Sequence, residues 1–197
     1  MKKTILFDLD GTLTDSSEGI TKTIQFTLES LGQPVPAASE LKWCLGPPLL
    51  TSFQHMLAGC DPELPQRALE LYRSRYRAIG MFENAVYPDI PRVLEALTTG
   101  GFKLFIATSK PWSVAEQIAD HFGISRYFLK VHGCEFDGRR SEKGDLIQYI
   151  LNEHRLSPDK VLMVGDRKHD VIGARKNDVA TVGVTYGYGD REGSRTN

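Results

Sequence analysis

The chain has 197 residues, 41% of them hydrophobic and 25% charged, enough for one compact domain with a modest insertion. Its formal net charge is -1, so it has no global basic field for holding a nucleic-acid polymer. Cys44, Cys60 and Cys134 stand far apart with no CxxC pair; this argues against a thiolate metal centre or a disulfide framework and predicts reduced, buried or half-buried thiols.

The apolar run after Lys2 and Lys3 stops at Asp8, too short for a signal-peptide core or a membrane span. A cytoplasmic location with no membrane partner is the resulting expectation. Thr4 to Phe7 reads as a buried strand broken by a tight turn at Gly11-Thr12.

The next stretch, about 16–82, is helical throughout. Ile20, Ile24, Leu28 and Leu31 form one stripe that ends at Gly32. Gly46-Pro47-Pro48 marks a loop. A second helix follows, with Asp61 expected as N-cap and Pro62 in its first turn. Leu64, Ala68, Leu71, Tyr72, Tyr76 and Ile79 are its predicted buried face, and Gly80 its stop.

Beyond residue 82, strands and helices alternate. Lys103 to Ala107, Val161 to Val164 and Val179 to Val184 read as strands, with Tyr127 to Val131 a weaker one. Helical periodicity fills the gaps: Val93, Leu94 and Leu97; Val114, Ile118 and Phe122; Leu146, Ile147, Ile150 and Leu151. The pattern predicts an α/β fold, a Rossmann-like doubly wound parallel sheet, with a small all-helical cap. Residues 1–15 and 83–197 form the expected core, and 16–82 the cap. Ligands in such sheets bind beyond the carboxyl ends of the strands.

Four polar motifs fall at those ends. In Asp8-Leu9-Asp10-Gly11-Thr12, one carboxylate can attack phosphorus and form an acyl phosphate. The second can protonate the leaving oxygen and later take a proton from water. Thr108-Ser109-Lys110 offers a hydroxyl and loop N–H groups for phosphoryl oxygens. Lys143, just before the Leu146 helix, can neutralise charge on the phosphoryl group and the nucleophile. Asp166 and Asp170, in Gly165-Asp166-Arg167-Lys168-His169-Asp170, suit a hard cation held by oxygen, and Mg²⁺ is the usual choice beside phosphate. Converging carboxylates need such a counter-charge.

The order DxDGT, Thr/Ser, Lys, GDxxxD resembles the haloacid dehalogenase superfamily of phosphotransferases, over essentially the whole chain. That resemblance implies Asp8 as nucleophile and Mg²⁺ ligand, and Asp10 as general acid/base whose backbone carbonyl also ligates. It implies Thr108 as phosphoryl holder, Lys143 as charge stabiliser, Asp166 as ligand and Asp170 as a further or outer ligand. Asp10 tells against the dehalogenase branch, which lacks the second aspartate. Leu45-Gly46-Pro47-Pro48-Leu49, Thr108-Ser109-Lys110-Pro111 and Asp137 to Lys143 look most like the bacterial 5′-nucleotidase-like members of the phosphoglycolate-phosphatase-like group. The family's substrate loop falls at Gly46, which joins Thr108, Ser109 and Lys143 as an expected substrate contact.

The expected activity is Mg²⁺-dependent hydrolysis of small phosphate monoesters through an aspartyl phosphate, on nucleoside 5′-monophosphates first and phosphoglycolate second. Sugar phosphomutase chemistry and a non-catalytic binding module are the alternatives. The expected partner is a small phosphorylated metabolite, and the chain a monomer or homodimer. His169 and the Arg73, Arg75, Arg77 series read as solvated, and Trp112 as a packing residue near the cap hinge. Family members continue past Tyr186-Gly187-Tyr188-Gly189 with another strand and helix, whereas Arg191 to Asn197 reads as a frayed polar end.

Overall fold

The computed structural model describes residues 3–46, 48–135 and 137–189. Pro47 and the 191–197 segment therefore lie outside the described residues. Along the chain the elements are β1 (Thr4–Phe7), β2 (Thr14–Asp15), α1 (Ser17–Ser30), α2 (Leu49–Met56), α3 (Leu64–Arg75), β3 (Ala85–Val86), α4 (Ile90–Thr99), β4 (Lys103–Pro111), α5 (Trp112–His121), β5 (Lys130–Cys134), α6 (Lys143–Glu153), β6 (Val161–Gly165), α7 (Lys168–Arg175) and β7 (Ala180–Gly183). They form two compact units, residues 1–15 with 85–197, and Ser16–Asn84.

The α/β unit is a five-stranded parallel sheet of order β5-β4-β1-β6-β7. From β1 the chain winds outward through β4 to β5, then returns to β6 and β7 on the other side. Strand order reverses between β1 and β6, and that is where a doubly wound sheet opens a crevice at its carboxyl edge. Leu6, Phe105, Ala107, Val161 and Met163 pack on one face with Leu146, Ile147, Ile150 and Leu151 of α6 and Ala174 of α7. By the pleat, Ile5, Phe7, Leu104 and Ile106 point to the opposite face. Both faces of β1 are therefore apolar, and all four of its residues are buried.

The helical unit is built by α1, α2 and α3 with 3₁₀ turns at Ala38–Cys44. Ile24 and Leu28 of α1 are buried, Ile20 and Leu31 half-buried, and Gly32 follows the helix at φ 65°. In α3 the buried set is Leu64, Pro65, Ala68, Leu69 and Tyr72, continuing to Tyr76. Leu71 is only half-buried and Ile79 exposed, against expectation. The reason is that Tyr76–Gly80 is wound as a π turn, whose wider pitch rotates Ile79 outward. Asp61 is not the N-cap either. Its Oδ1 accepts the Glu63 N–H in a tight turn, so the helix begins at Leu64 with Pro65 in its first turn.

Four other expectations need correction. β5 starts at Lys130 rather than Tyr127, because Ser125–Tyr127 close a 3₁₀ turn first. β4 runs past Ala107 to Pro111 through an irregular register against β5. Cys60 is exposed, while Cys44 and Cys134 are buried and all three are free. Arg75 is not a solvated helix arginine: it pairs with Glu83 at 2.9 Å and donates to Thr23 Oγ1 at 2.7 Å. Among the described residues, no helix is long and apolar enough to cross a membrane.

Candidate active site

The residues that end β1 are held by its neighbours. Asp8 N–H donates to Val164 O at 2.9 Å, which carries the β1–β6 pairing one step past the strand. Asp8 thereby stands beside the Gly165-Asp166 turn at the reversal point of the sheet. Gly11 sits at φ 84°, and a Cβ there would collide with the Asp166 carboxylate. Only glycine tolerates both conditions.

Lys143 opens α6 and is almost completely buried. Its Nζ donates to Asp8 Oδ1 at 2.9 Å and to Ala107 O at 2.8 Å. It also stands 2.8 Å from Asp170 Oδ1, an ion pair without hydrogen-bond alignment. Burial alone would pull the Lys143 pKa down, but Asp170 and Asp8 outweigh it and hold the ammonium charged well above the usual lysine range.

Asp166 is buried, and its pKa is raised, first by burial and then by repulsion from Asp8. The Tyr188 N–H, donating to Asp166 Oδ2 at 2.7 Å, works in the opposite direction. Asp170 lies in the first turn of α7, rather than in the loop before it, and is buried. Its Oδ2 accepts the Arg167 N–H at 3.0 Å. Burial raises its pKa, with Lys143 pulling it down and Asp8 pushing it up. Asp8, Asp166 and Asp170 each offer an oxygen, and these atoms lie within 4.8 Å of one another. Lys143 pairs with Asp8 and Asp170, and Arg167 Nε stands 3.9 Å from Asp166 Oδ2, two cations against three carboxylates. An all-oxygen donor set with this residual charge fits a hard divalent cation.

Asp10 is held differently. Its Oδ2 pairs with Lys110 Nζ at 2.9 Å, and its Oδ1 is buried with no hydrogen-bond partner among the described residues. Thr108 is buried within β4, just past its regular pairing with β5, its Oγ1 accepting the Lys110 N–H at 3.2 Å, and Ser109 is exposed. The α/β unit thus brings together Asp8, Asp166, Asp170 and Lys143, with Asp10 in the loop after β1 and Thr108 on the neighbouring strand β4. Gly46 belongs to the helical unit and is exposed at φ 114°. His169 is exposed, as expected, and Trp112 donates from Nε1 to Glu135 at 3.1 Å.

Sequence reasoning missed two supports. The sequence marks Lys110 only for its loop N–H, yet its side chain is the partner of Asp10. The Tyr186-Gly187-Tyr188 loop also wraps the site: Tyr186 Oη donates to Thr12 O at 2.9 Å and Tyr188 Oη to Asp15 Oδ1 at 2.8 Å. Gly187 lies so close to Gly11 O and Asp166 that a Cβ would overlap both. The alternating tyrosines and glycines were the one signal available.

Residues 5–184 match the model of the haloacid dehalogenase-like hydrolase family. The chain belongs to that family. A 5′-nucleotidase of Pseudomonas aeruginosa is 46% identical over 188 residues, covering 95% of this chain and 85% of that protein. The tyrosine-protein kinase PtkA of Mycobacterium tuberculosis is 39% identical over 185 residues, 94% of this chain but only 62% of the kinase. A phosphoglycolate phosphatase of Vibrio parahaemolyticus is 27% identical, covering 96% and 86%. Among solved structures, a "predicted phosphatase" of Clostridium acetobutylicum superposes with a TM-score of 0.87 at 44% identity, covering 98% and 88%. This haloacid dehalogenase-like hydrolase is accordingly an enzyme of the phosphoric monoester hydrolase class.

Proposed function

We propose that the enzyme hydrolyses small phosphate monoesters, nucleoside 5′-monophosphates first, by transferring the phosphoryl group to Asp8. The observation that carries this reading is the pairing of Asp8 with a buried, charged Lys143 beside Asp166 at the sheet's reversal point. Lys143 takes Asp8 Oδ1, leaving Oδ2 to attack. As the P–O bond to the leaving group breaks, Asp10 supplies the proton that the leaving oxygen needs. Water then attacks the acyl phosphate, gives its proton back to Asp10, and frees Asp8 and inorganic phosphate. Thr108 and the loop N–H groups after it hold the non-transferring oxygens. Lys110 keeps the Asp10 carboxylate in place between turnovers.

Asp8, Asp166 and the Asp10 backbone carbonyl would hold Mg²⁺. Asp170, with one oxygen on the Arg167 N–H and the other beside Lys143, acts mainly by orienting the lysine. When bound, Mg²⁺ supplies neutralisation of the carboxylates and of the phosphoryl oxygens. We assign substrate choice to the helical unit, and in particular to Lys42 to Leu50 with its turn at Gly46. The 46% identity to a 5′-nucleotidase favours nucleoside monophosphates, and the phosphoglycolate phosphatase relatives support the second reading.

A panel of phosphorylated metabolites, assayed for released phosphate with Mg²⁺, tests the proposal. It should include nucleoside monophosphates, phosphoglycolate and a sugar phosphate. Fastest release from a nucleoside monophosphate, abolished in Asp8→Asn, is expected. An isomerised sugar phosphate with no free phosphate, or phosphate appearing on a protein tyrosine instead of in water, would overturn it.

A further inference from the structure

Away from the carboxylates, a second set of donor side chains meets at the other end of α6. His132 on β5, Glu153 closing α6 and His154 just after it each offer one donor atom, all within 4.8 Å of one another. The two imidazoles face each other through Nε2, 2.9 Å apart. Glu153 Oε2 stands 3.7 Å from His132 Nδ1, while Oε1 takes Lys130 Nζ at 2.5 Å.

Aromatic walls set the ring orientations. Phe105 lies 4.5 Å from the His154 ring and 5.9 Å from that of His132, and Tyr149 meets His132 edge-on. His132 is only 4% exposed. Burial first, then His154, Lys130 and Arg140, push its pKa down to about 4 against the pull of Glu153.

We propose that His132, His154 and Glu153 form a binding site for a divalent transition-metal ion of the zinc class, distinct from the carboxylate site. Two imidazoles and one carboxylate favour a borderline ion such as Zn²⁺ over Mg²⁺. At Zn–N distances of about 2.0–2.1 Å, two nitrogens on a tetrahedral ion stand roughly 3.3–3.4 Å apart, so the histidine pair opens by only a few tenths of an ångström. Glu153 supplies the third ligand by sharing its carboxylate with Lys130, and water takes the fourth position.

The ion would pin the end of α6 to β5. Lys143 begins the same helix about 15 Å away along its axis, so the site acts on the stability of α6 and not on the chemistry. This inference does not depend on the substrate assignment.

The test uses the full chain, stripped of metal and returned to saturating Mg²⁺, then titrated with Co²⁺ or Zn²⁺. One equivalent of Co²⁺ should give the intense visible band of a four-coordinate ion with imidazole ligands. Zn²⁺ at about 100 times its Kd should raise the melting midpoint by roughly 5–10 °C. His132 is buried and its replacement risks the fold, so the variants are His154→Gln and Glu153→Gln. Each should weaken Zn²⁺ binding by about tenfold or more while leaving Mg²⁺-dependent phosphate release unchanged. Absence of the Co²⁺ band would overturn the proposal and leave a hydrogen-bonded histidine pair. A Zn²⁺ shift undiminished in both variants would overturn it too, placing the ion at the carboxylate site of Asp8 and Asp166.

Discussion

In the helical unit the buried polar side chains are hydroxyls. Thr21, Thr23 and Thr27 donate to the carbonyls of Ser17, Gly19 and Thr23, one turn back along α1. In the α/β unit they include Asp8, Asp166, Asp170, Lys143 and His132, and among the described residues no aspartate, lysine or histidine is buried outside it. A hydroxyl satisfied locally costs the fold little. A buried ion costs several kcal/mol even after pairing. The α/β unit therefore keeps groups that stability alone would discard, and all of them but His132 gather at the carboxyl edge of its sheet. The contrast places the buried ionisable groups in the α/β unit.

The hardest way to break that contrast is Lys143→Met. Asp8 and Asp170 lose their shared cation, and removing one partner of a buried pair costs about 3–5 kcal/mol. Turnover should fall roughly 10²–10³-fold, as for the loss of one charge-stabilising donor. Denaturant melts and kcat, measured together, check both halves. A variant of wild-type stability would mean that the lysine is not paired as described.

Substitution in the helical unit should do something different. Lys42 is exposed, and Trp43 is 45% exposed with its ring edge-on to His55. Lys42→Ala and Trp43→Ala should change kcat/KM ratios among a nucleoside monophosphate, phosphoglycolate and a small aryl phosphate by about ten- to two-hundredfold. Equal losses on all three substrates would recast this stretch as a structural hinge.

A milder effect is expected at the loop that the sequence did not mark. Gly187→Ala places a methyl against Gly11 O and Asp166 and should cost about 1–3 kcal/mol. Activity should fall with it, because Tyr188 N–H orients Asp166. Chemical denaturation beside steady-state kinetics reads this directly.

The smallest change concerns the cation. Burial and Asp8 raise the pKa of Asp166, against the opposite pull of the Tyr188 N–H and Arg167. Mg²⁺ should raise the melting midpoint by a few degrees over EDTA, less in Asp166→Asn. Ca²⁺, which accepts more oxygen ligands, should stabilise equally but fail to support turnover. Thermal shifts with each ion test this.

How much of this was legible in the sequence follows from what each residue's position depends on. Asp8, Thr108 and Asp166 end runs of apolar, β-rich residues, so local pattern places them at strand ends. The Leu146 stripe places Lys143 at a helix start, whereas Asp170 reads as part of the turn after β6 and lies instead in the first turn of α7. The partner of Asp10 was not legible, because Lys110 reaches it across a hundred residues of chain. Tyr186 contacts Thr12 across 174 residues, and no periodicity records such a meeting. His132 and His154 meet by the same kind of closure, through the packing of α6 on β5. The outward turn of Ile79 was hidden for another reason: a π turn changes the period on which the helical reading relies.

The central claim is that Asp8 carries the phosphoryl group. Rapid acid quench of the enzyme during turnover of a ³²P-labelled nucleoside monophosphate, followed by peptide mapping, tests it most directly. The account predicts a transient, hydroxylamine-labile phosphate on the peptide containing Asp8. It should form and decay at rates consistent with kcat and be missing from Asp8→Asn, whose melting curve stays close to wild type. Label on any other residue, or turnover in Asp8→Asn above a tenth of the wild-type rate, would contradict it.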